Sequence, residues 1–203
     1  MAFRGLSEGI PWAFKKCPAV YEAMRSWLSV KLDVDPKEIS LTGSARLGSS
    51  LAPKKLGQSY SDTSDLDLFI VSEGMFGQLC DEFTGWSSSF KSGDISPKNN
   101  RELSFWKDNN KRGPKVIQRG FLDQKMIPNR KAYPLTCKIS HVMWQVVEKF
   151  KEIPEAPQPS KASIRCYSSW AAFVQQISVN LEWNLKSKYS FNRTQIPLRA
   201  CAG

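Results

Sequence analysis

The 203-residue chain predicts an α+β fold, a small β-sheet flanked by helices with a C-terminal helical segment. Three observations carry this. Ile39–Thr42 and Leu66–Val71 are short apolar runs that read as strands, each following a polar turn or loop. Lys115–Asp123 reads as a further strand. Longer stretches around them space apolar residues three and four apart, as helices do.

The first helix is expected over residues 11–31, where Trp12, Phe14, Val20, Met24, Trp27, Leu28 and Val30 give an irregular apolar face. Pro18 puts its proper start near that residue, because proline is tolerated in a first helical turn. Asp33–Lys37 is a polar turn around Pro36. The first strand then ends at Gly43, and residues 44–51 form a short helix. Ala52–Ser64 is a loop whose Lys54 and Lys55 either neutralise phosphate charge or are simply solvated.

Met75–Trp86 predicts a helix after the second strand. Residues 87–114, rich in Ser, Gly, Asn, Lys and Pro, read as a long, partly mobile insertion. After the Lys115–Asp123 strand the chain turns at Ile127–Arg130, and Ile139–Lys151 is an amphipathic helix. Pro154–Pro159 is a linker. A final helix is expected from Lys161 to about Lys186, with Ile164, Tyr167, Trp170, Ala171, Val174, Ile177 and Leu181 as its packing stripe. The expected organisation is a domain over residues 1–153, with a helix and tail over residues 154–203 resting on it. The tail beyond Tyr189, with Arg193 and Arg199, has little periodicity. No internal repeat is visible.

Lys and Arg total 29 against 19 Asp and Glu, a formal net charge of +10, which favours polyanionic ligands such as nucleoside triphosphates or RNA. The cysteines at 17, 80, 137, 166 and 201 are scattered, none forms Cys-x-x-Cys, and His141 is the single histidine. A zinc site is therefore not expected, and reduced structural thiols are. The N-terminus lacks the apolar core of a secretory signal, and no run approaches a membrane span, so a cytoplasmic protein is expected.

The chemistry concentrates in residues 39–71. Asp65 and Asp67 are two apart in a strand, so their carboxylates project from one face. Two acids that close repel unless a cation sits between them, and Mg²⁺ takes oxygen ligands. Upstream, Gly43 lets the backbone approach a ligand, and Ser44 offers a hydroxyl and an N–H to a phosphate oxygen. The N-terminus of the short helix after Gly43 points toward the same place. A phosphate grip followed by a metal-binding acid pair is what phosphoryl or nucleotidyl transfer requires.

Gly43-Ser44 followed by Ser64-Asp65-Leu66-Asp67-Leu68 resembles the signature of the DNA polymerase β-like nucleotidyltransferase superfamily. The resemblance implies the small mixed sheet of that superfamily's palm, with Asp65 and Asp67 bridging two Mg²⁺ ions (or Mn²⁺) and Gly43 and Ser44 holding the triphosphate. Arg46 either assists there or points to solvent. A third acid on a neighbouring strand is also implied. Asp123, ending the Lys115–Asp123 strand, is the first choice, with Asp94, Glu102 and Asp108 as alternatives. Arg119 is expected on that strand face within reach of a phosphate. Tyr60, Trp106 and Tyr133 are either base-stacking residues or core.

The function implied is metal-dependent transfer of a nucleoside monophosphate from an NTP to a hydroxyl acceptor: RNA, a nucleotide or a protein. Resemblance to small bacterial members implies a role in stress response or phage defence. Two other readings stand beside it. One is a catalytically degenerate fold that binds nucleotides or nucleic acid as a subunit. The other is a toxin neutralised by a protein partner.

Overall fold

The structure, a computed structural model, describes residues 9–52, 55–61 and 64–189. Four strands form one mixed sheet: β1 (Ile39–Leu41), β2 (Leu66–Val71), β3 (Phe121–Asp123) and β4 (Ala162–Tyr167), in the order β1-β2-β4-β3. β1 runs antiparallel to β2, β2 parallel to β4, and β3 antiparallel to β4. Among the described residues six α-helices flank the sheet: α1 (Pro18–Leu32), α2 (Gly43–Leu47), α3 (Glu73–Ser92), α4 (Asn100–Gln118), α5 (Pro134–Lys151) and α6 (Trp170–Tyr189). The chain is α+β, as its sequence predicts. None of the described helices is long and apolar enough to cross a membrane.

The two central strands explain the core. Along β2, Leu66, Leu68 and Ile70 point to one face and are fully buried, while Asp67 and Phe69 take the other. On that second face Phe69 stacks on Phe173 of α6, with ring centroids 4.2 Å apart. The expected first helix forms from Pro18, burying Tyr21, Met24, Leu28 and Leu32 at spacings of three and four. In α3 the Ser72 hydroxyl accepts the Met75 N–H, and Met75, Leu79, Phe83 and Trp86 make its inner stripe. Glu82, also on α3, caps a different helix. Its carboxylate accepts the Leu135 and Thr136 N–H groups at 2.7 and 3.0 Å, at the start of α5. A carboxylate there satisfies orphan donors and opposes the positive end of the helix dipole.

Three expectations require correction. Residues 87–114 are not a long insertion: α3 continues to Ser92, Gly93 ends it at φ +85°, and α4 begins at Asn100. The Asn99 side chain accepts the Glu102 N–H at 2.9 Å, and the Glu102 carboxylate bonds back to the Lys98 N–H. The inward positions of α4 are Trp106, Asn109, Gly113 and Val116, so its stripe carries only two large apolar residues. Glycine stands at 113 because the helix meets α3 there; an added Cβ would lie 1.8 Å from the Phe83 ring.

The second correction concerns Lys115–Asp123. Lys115–Gln118 is the last turn of α4, Gly120 reverses the chain at φ +75°, and only Phe121–Asp123 is extended. Arg119 therefore closes a helix, its guanidinium over the Phe121 ring at 5.5 Å.

The third concerns the last helix, which begins at Trp170 rather than Lys161. Residues 162–167 are instead β4, an inner strand. Ile164 and Tyr167 fit a helical stripe, but Ala162, Ile164 and Cys166 also alternate with Ser163, Arg165 and Tyr167. The strand period matches the observed burial of the first set. Because β4 lies between β2 and β3, the sheet joins residues from both sides of position 153. Leu181's side chain, the tail beyond Tyr189, Lys54 and Cys201 lie outside the described residues.

Candidate nucleotide site

β1 and β2 bring the Gly-Ser bend to the acid pair. Their antiparallel register sets Leu41 opposite Leu68, and the Thr42 N–H donates to the Asp67 carbonyl at 2.9 Å. The chain then turns at Gly43, φ +66°, into the five-residue helix α2. A Cβ on Gly43 would stand 3.9 Å from Asp67 Oδ2, so the bend and the second carboxylate are neighbours with nothing thicker than a hydrogen between them.

The two acids are held differently. Asp65 precedes β2, accepts the Ser160 hydroxyl on Oδ1 at 3.0 Å and pairs Oδ2 with Lys161 Nζ at 3.1 Å. Both partners of that ion pair are substantially exposed, so the contact is worth about 0–1 kcal/mol and exchanges readily. Asp67 is exposed. Its Oδ1 accepts the Ser163 hydroxyl at 2.6 Å, and its Oδ2 makes no hydrogen bond among the described residues.

Ser163 lies directly opposite Asp67 on β4. Ser160, Lys161 and Ser163 are site residues that the sequence does not single out: Lys161 and Ser163 fall in the expected last helix, and Ser160 between it and the Pro154–Pro159 linker. The two-residue alternation through Ala162–Tyr167 was the signal that could have found them.

Asp123 is not with the pair. It sits on β3, two strands from β2, and its carboxylate takes both Nε and Nη2 of Arg165 at 2.9 and 3.0 Å. Burial alone would lower the Arg165 pKa, but Asp123 reverses this with help from Tyr167, and the guanidinium is held above its ordinary range. Burial pushes the Tyr167 phenol up, an effect Arg165 opposes.

Glu102 and Asp94 lie in the α3–α4 region, engaged with Lys98 and Ser92 respectively, and Asp108 pairs with Arg112. Among the described residues no three His, Cys, Asp or Glu side chains converge on one point.

Arg46 is 6% exposed and donates Nη1 to the Gly9 carbonyl at 2.8 Å, with burial pulling its pKa below the usual value. Burial rules out the solvent-pointing alternative, and the guanidinium ties Gly9 to α2. Lys55 is exposed in the loop. Tyr60, Trp106 and Tyr133 are all buried, the core alternative of the sequence reading.

Cys17, Cys80, Cys137 and Cys166 are free thiols. The chain matches no protein-family model, no curated protein and no solved structure in comparisons with each.

Proposed function

We propose that the chain is a polymerase β-like nucleotidyltransferase. In this reading the Gly43–Ser44 bend and the Asp65–Asp67 pair grip the triphosphate of an NTP, and a nucleoside monophosphate passes to a hydroxyl acceptor. The observation that carries the reading is the adjacency of Gly43 and Asp67, which connects the phosphate-approach position to the acid pair through β1 and β2. The formal charge of +10 agrees with an anionic substrate.

The residues fit one hard cation. Mg²⁺ is commonly held by one or two carboxylates together with substrate phosphates, and Asp67 Oδ2 is unengaged while Asp65 needs only to release Lys161. When bound, the cation supplies charge neutralisation at the α-phosphate and lowers the pKa of a coordinated hydroxyl. Gly43 gives the phosphate chain close access to the backbone, and Ser44 offers its hydroxyl and N–H. Ser163 holds the Asp67 carboxylate in place. The acceptor oxygen bonds to the α-phosphorus, the bridge to the β-phosphate breaks, and pyrophosphate leaves. The acceptor's proton passes to solvent, to which Asp67 is open.

A second reading, a degenerate fold that binds nucleotide without turning it over, is favoured by one specific observation. The position facing Asp67 on β4 holds Ser163, and Asp123 is committed to Arg165. Incubation with Mg²⁺, each α-³²P-labelled NTP and cellular RNA tests both. Labelled RNA, protein or a new small product supports the transferase and names its acceptor. NTP bound through Asp67 without product supports the second reading, and no binding contradicts both.

A further inference from the structure

A second concave site has none of Gly43, Ser44, Asp65 and Asp67 in its lining. It is a cleft of about 580 Å³ between α4 and the segment that follows β3. Arg101, Phe105 and Asn109, at i, i+4 and i+8 on α4, line one side, and Gln124, Lys125 and Met126 line the other.

Two of these residues are buried carboxamides, Asn109 and Gln124, each 5% exposed. Asn109 Nδ2 donates to the Met126 carbonyl at 3.2 Å. The Gln124 carboxamide makes no hydrogen bond among the described residues. Its polar atoms are not among the enclosed, unpartnered ones, so the amide faces the open cleft and is available to a polar edge entering it.

Phe105, 55% exposed, presents its ring to the cleft from the α4 side. The one carboxylate in the lining, Glu102, is engaged by the Lys98 N–H and by Arg130 at 3.6 Å. Arg101 and Lys125 are exposed and form no ion pair among the described residues.

A flat apolar ring, amides that offer donors and acceptors in one plane, and cations at the rim are the recognition chemistry of a nucleobase carrying a phosphate. We propose that this cleft binds a nucleotide. The base lies against Phe105 with its edge to Gln124, and the phosphate meets Arg101 and Lys125. The ligand is either a free mononucleotide or one unit of a single strand. The assignment shares no residue with the Gly43–Asp67 site and does not rest on the catalytic reading.

The test is fluorescence anisotropy of a labelled single-stranded oligoadenylate, with AMP and inorganic polyphosphate as competitors. Phe105→Ala, a change at an exposed position, is expected to weaken binding by about tenfold, the scale of one lost base–aromatic stack. Gln124→Leu should weaken the oligoadenylate more than an abasic strand. Displacement by AMP identifies a mononucleotide site, and displacement only by strand identifies a single-strand site. The proposal is overturned if the oligonucleotide does not bind. It is equally overturned if Phe105→Ala binds with unchanged affinity, or if polyphosphate displaces wild type and Phe105→Ala alike.

Discussion

Ser163 and Asp67 face each other across the parallel strands β4 and β2, with Oγ 2.6 Å from Oδ1. The hydroxyl orients one carboxylate oxygen and leaves the other toward Gly43. It also stands on a neighbouring strand, where the polymerase β-like resemblance implies a third acid. We therefore expect Ser163→Asp to raise affinity for Mn²⁺, because a carboxylate at this position adds a hard anionic ligand beside Asp67. Titration followed by Mn²⁺ electron paramagnetic resonance checks this, and an affinity equal to wild type would remove Ser163 from the site.

Asp123 belongs to a different interaction, and its removal should be felt in stability. Asp123→Ala breaks a bidentate, half-buried contact with Arg165 and is expected to cost about 1–2 kcal/mol. The figure is kept low because both side chains retain about a third of their exposure. Turnover per folded molecule should be unchanged. Urea unfolding combined with the labelling assay separates the two effects, and a loss of turnover by orders of magnitude at native stability would return Asp123 to the metal.

Gly113→Ala sets two known effects against each other. Alanine favours a helix interior over glycine by about 1 kcal/mol. The added Cβ, however, meets the Phe83 ring at 1.8 Å, and overpacking of this kind costs about 1–3 kcal/mol. We expect net destabilisation, seen as a lower Tm. A higher Tm would mean that α3 and α4 separate at little cost.

Alkaline stability should depend on Cys166. Burial pushes this thiol from its ordinary 9.0 up to about 12. A group with a raised folded pKa contributes stability that is complete below its unfolded value and is lost as pH rises toward the folded one. Unfolding free energy should therefore fall between pH 9.0 and about 12, and Cys166→Ala should flatten that slope. The same slope in the variant would assign the effect to other groups, such as Tyr167, which burial also raises.

The parts of the fold that were legible in the sequence share one property, a local pattern with a single reading. Leu66, Leu68 and Ile70 alternate with Asp67 and Phe69, and the Gly43-Ser44 bend follows a short apolar run, so β1, α2 and β2 are where residues 39–71 put them. α4 escaped because tertiary contact replaced two apolar positions with Asn109 and Gly113, which reads as loop composition. β4 escaped because Ile164 and Tyr167 satisfy the period of a helix and of a strand at once. Only its pairing with β2 and β3 decides between them. That ambiguity hides Lys161 and Ser163, which hold the acid pair together with Ser160 just before them.

The most direct test of the central claim is equilibrium binding of α-³²P-labelled NTPs to wild type, Asp65→Asn and Asp67→Asn, with Mg²⁺ and with chelator. Each substitution removes a metal-binding charge at nearly constant volume. Measured in the Phe105→Ala background to weaken the proposed α4 cleft, the chain with both acids should retain NTP only with Mg²⁺, and both Asn variants should lose it. Retention that is indifferent to Mg²⁺ and unchanged in Asp67→Asn would contradict the account.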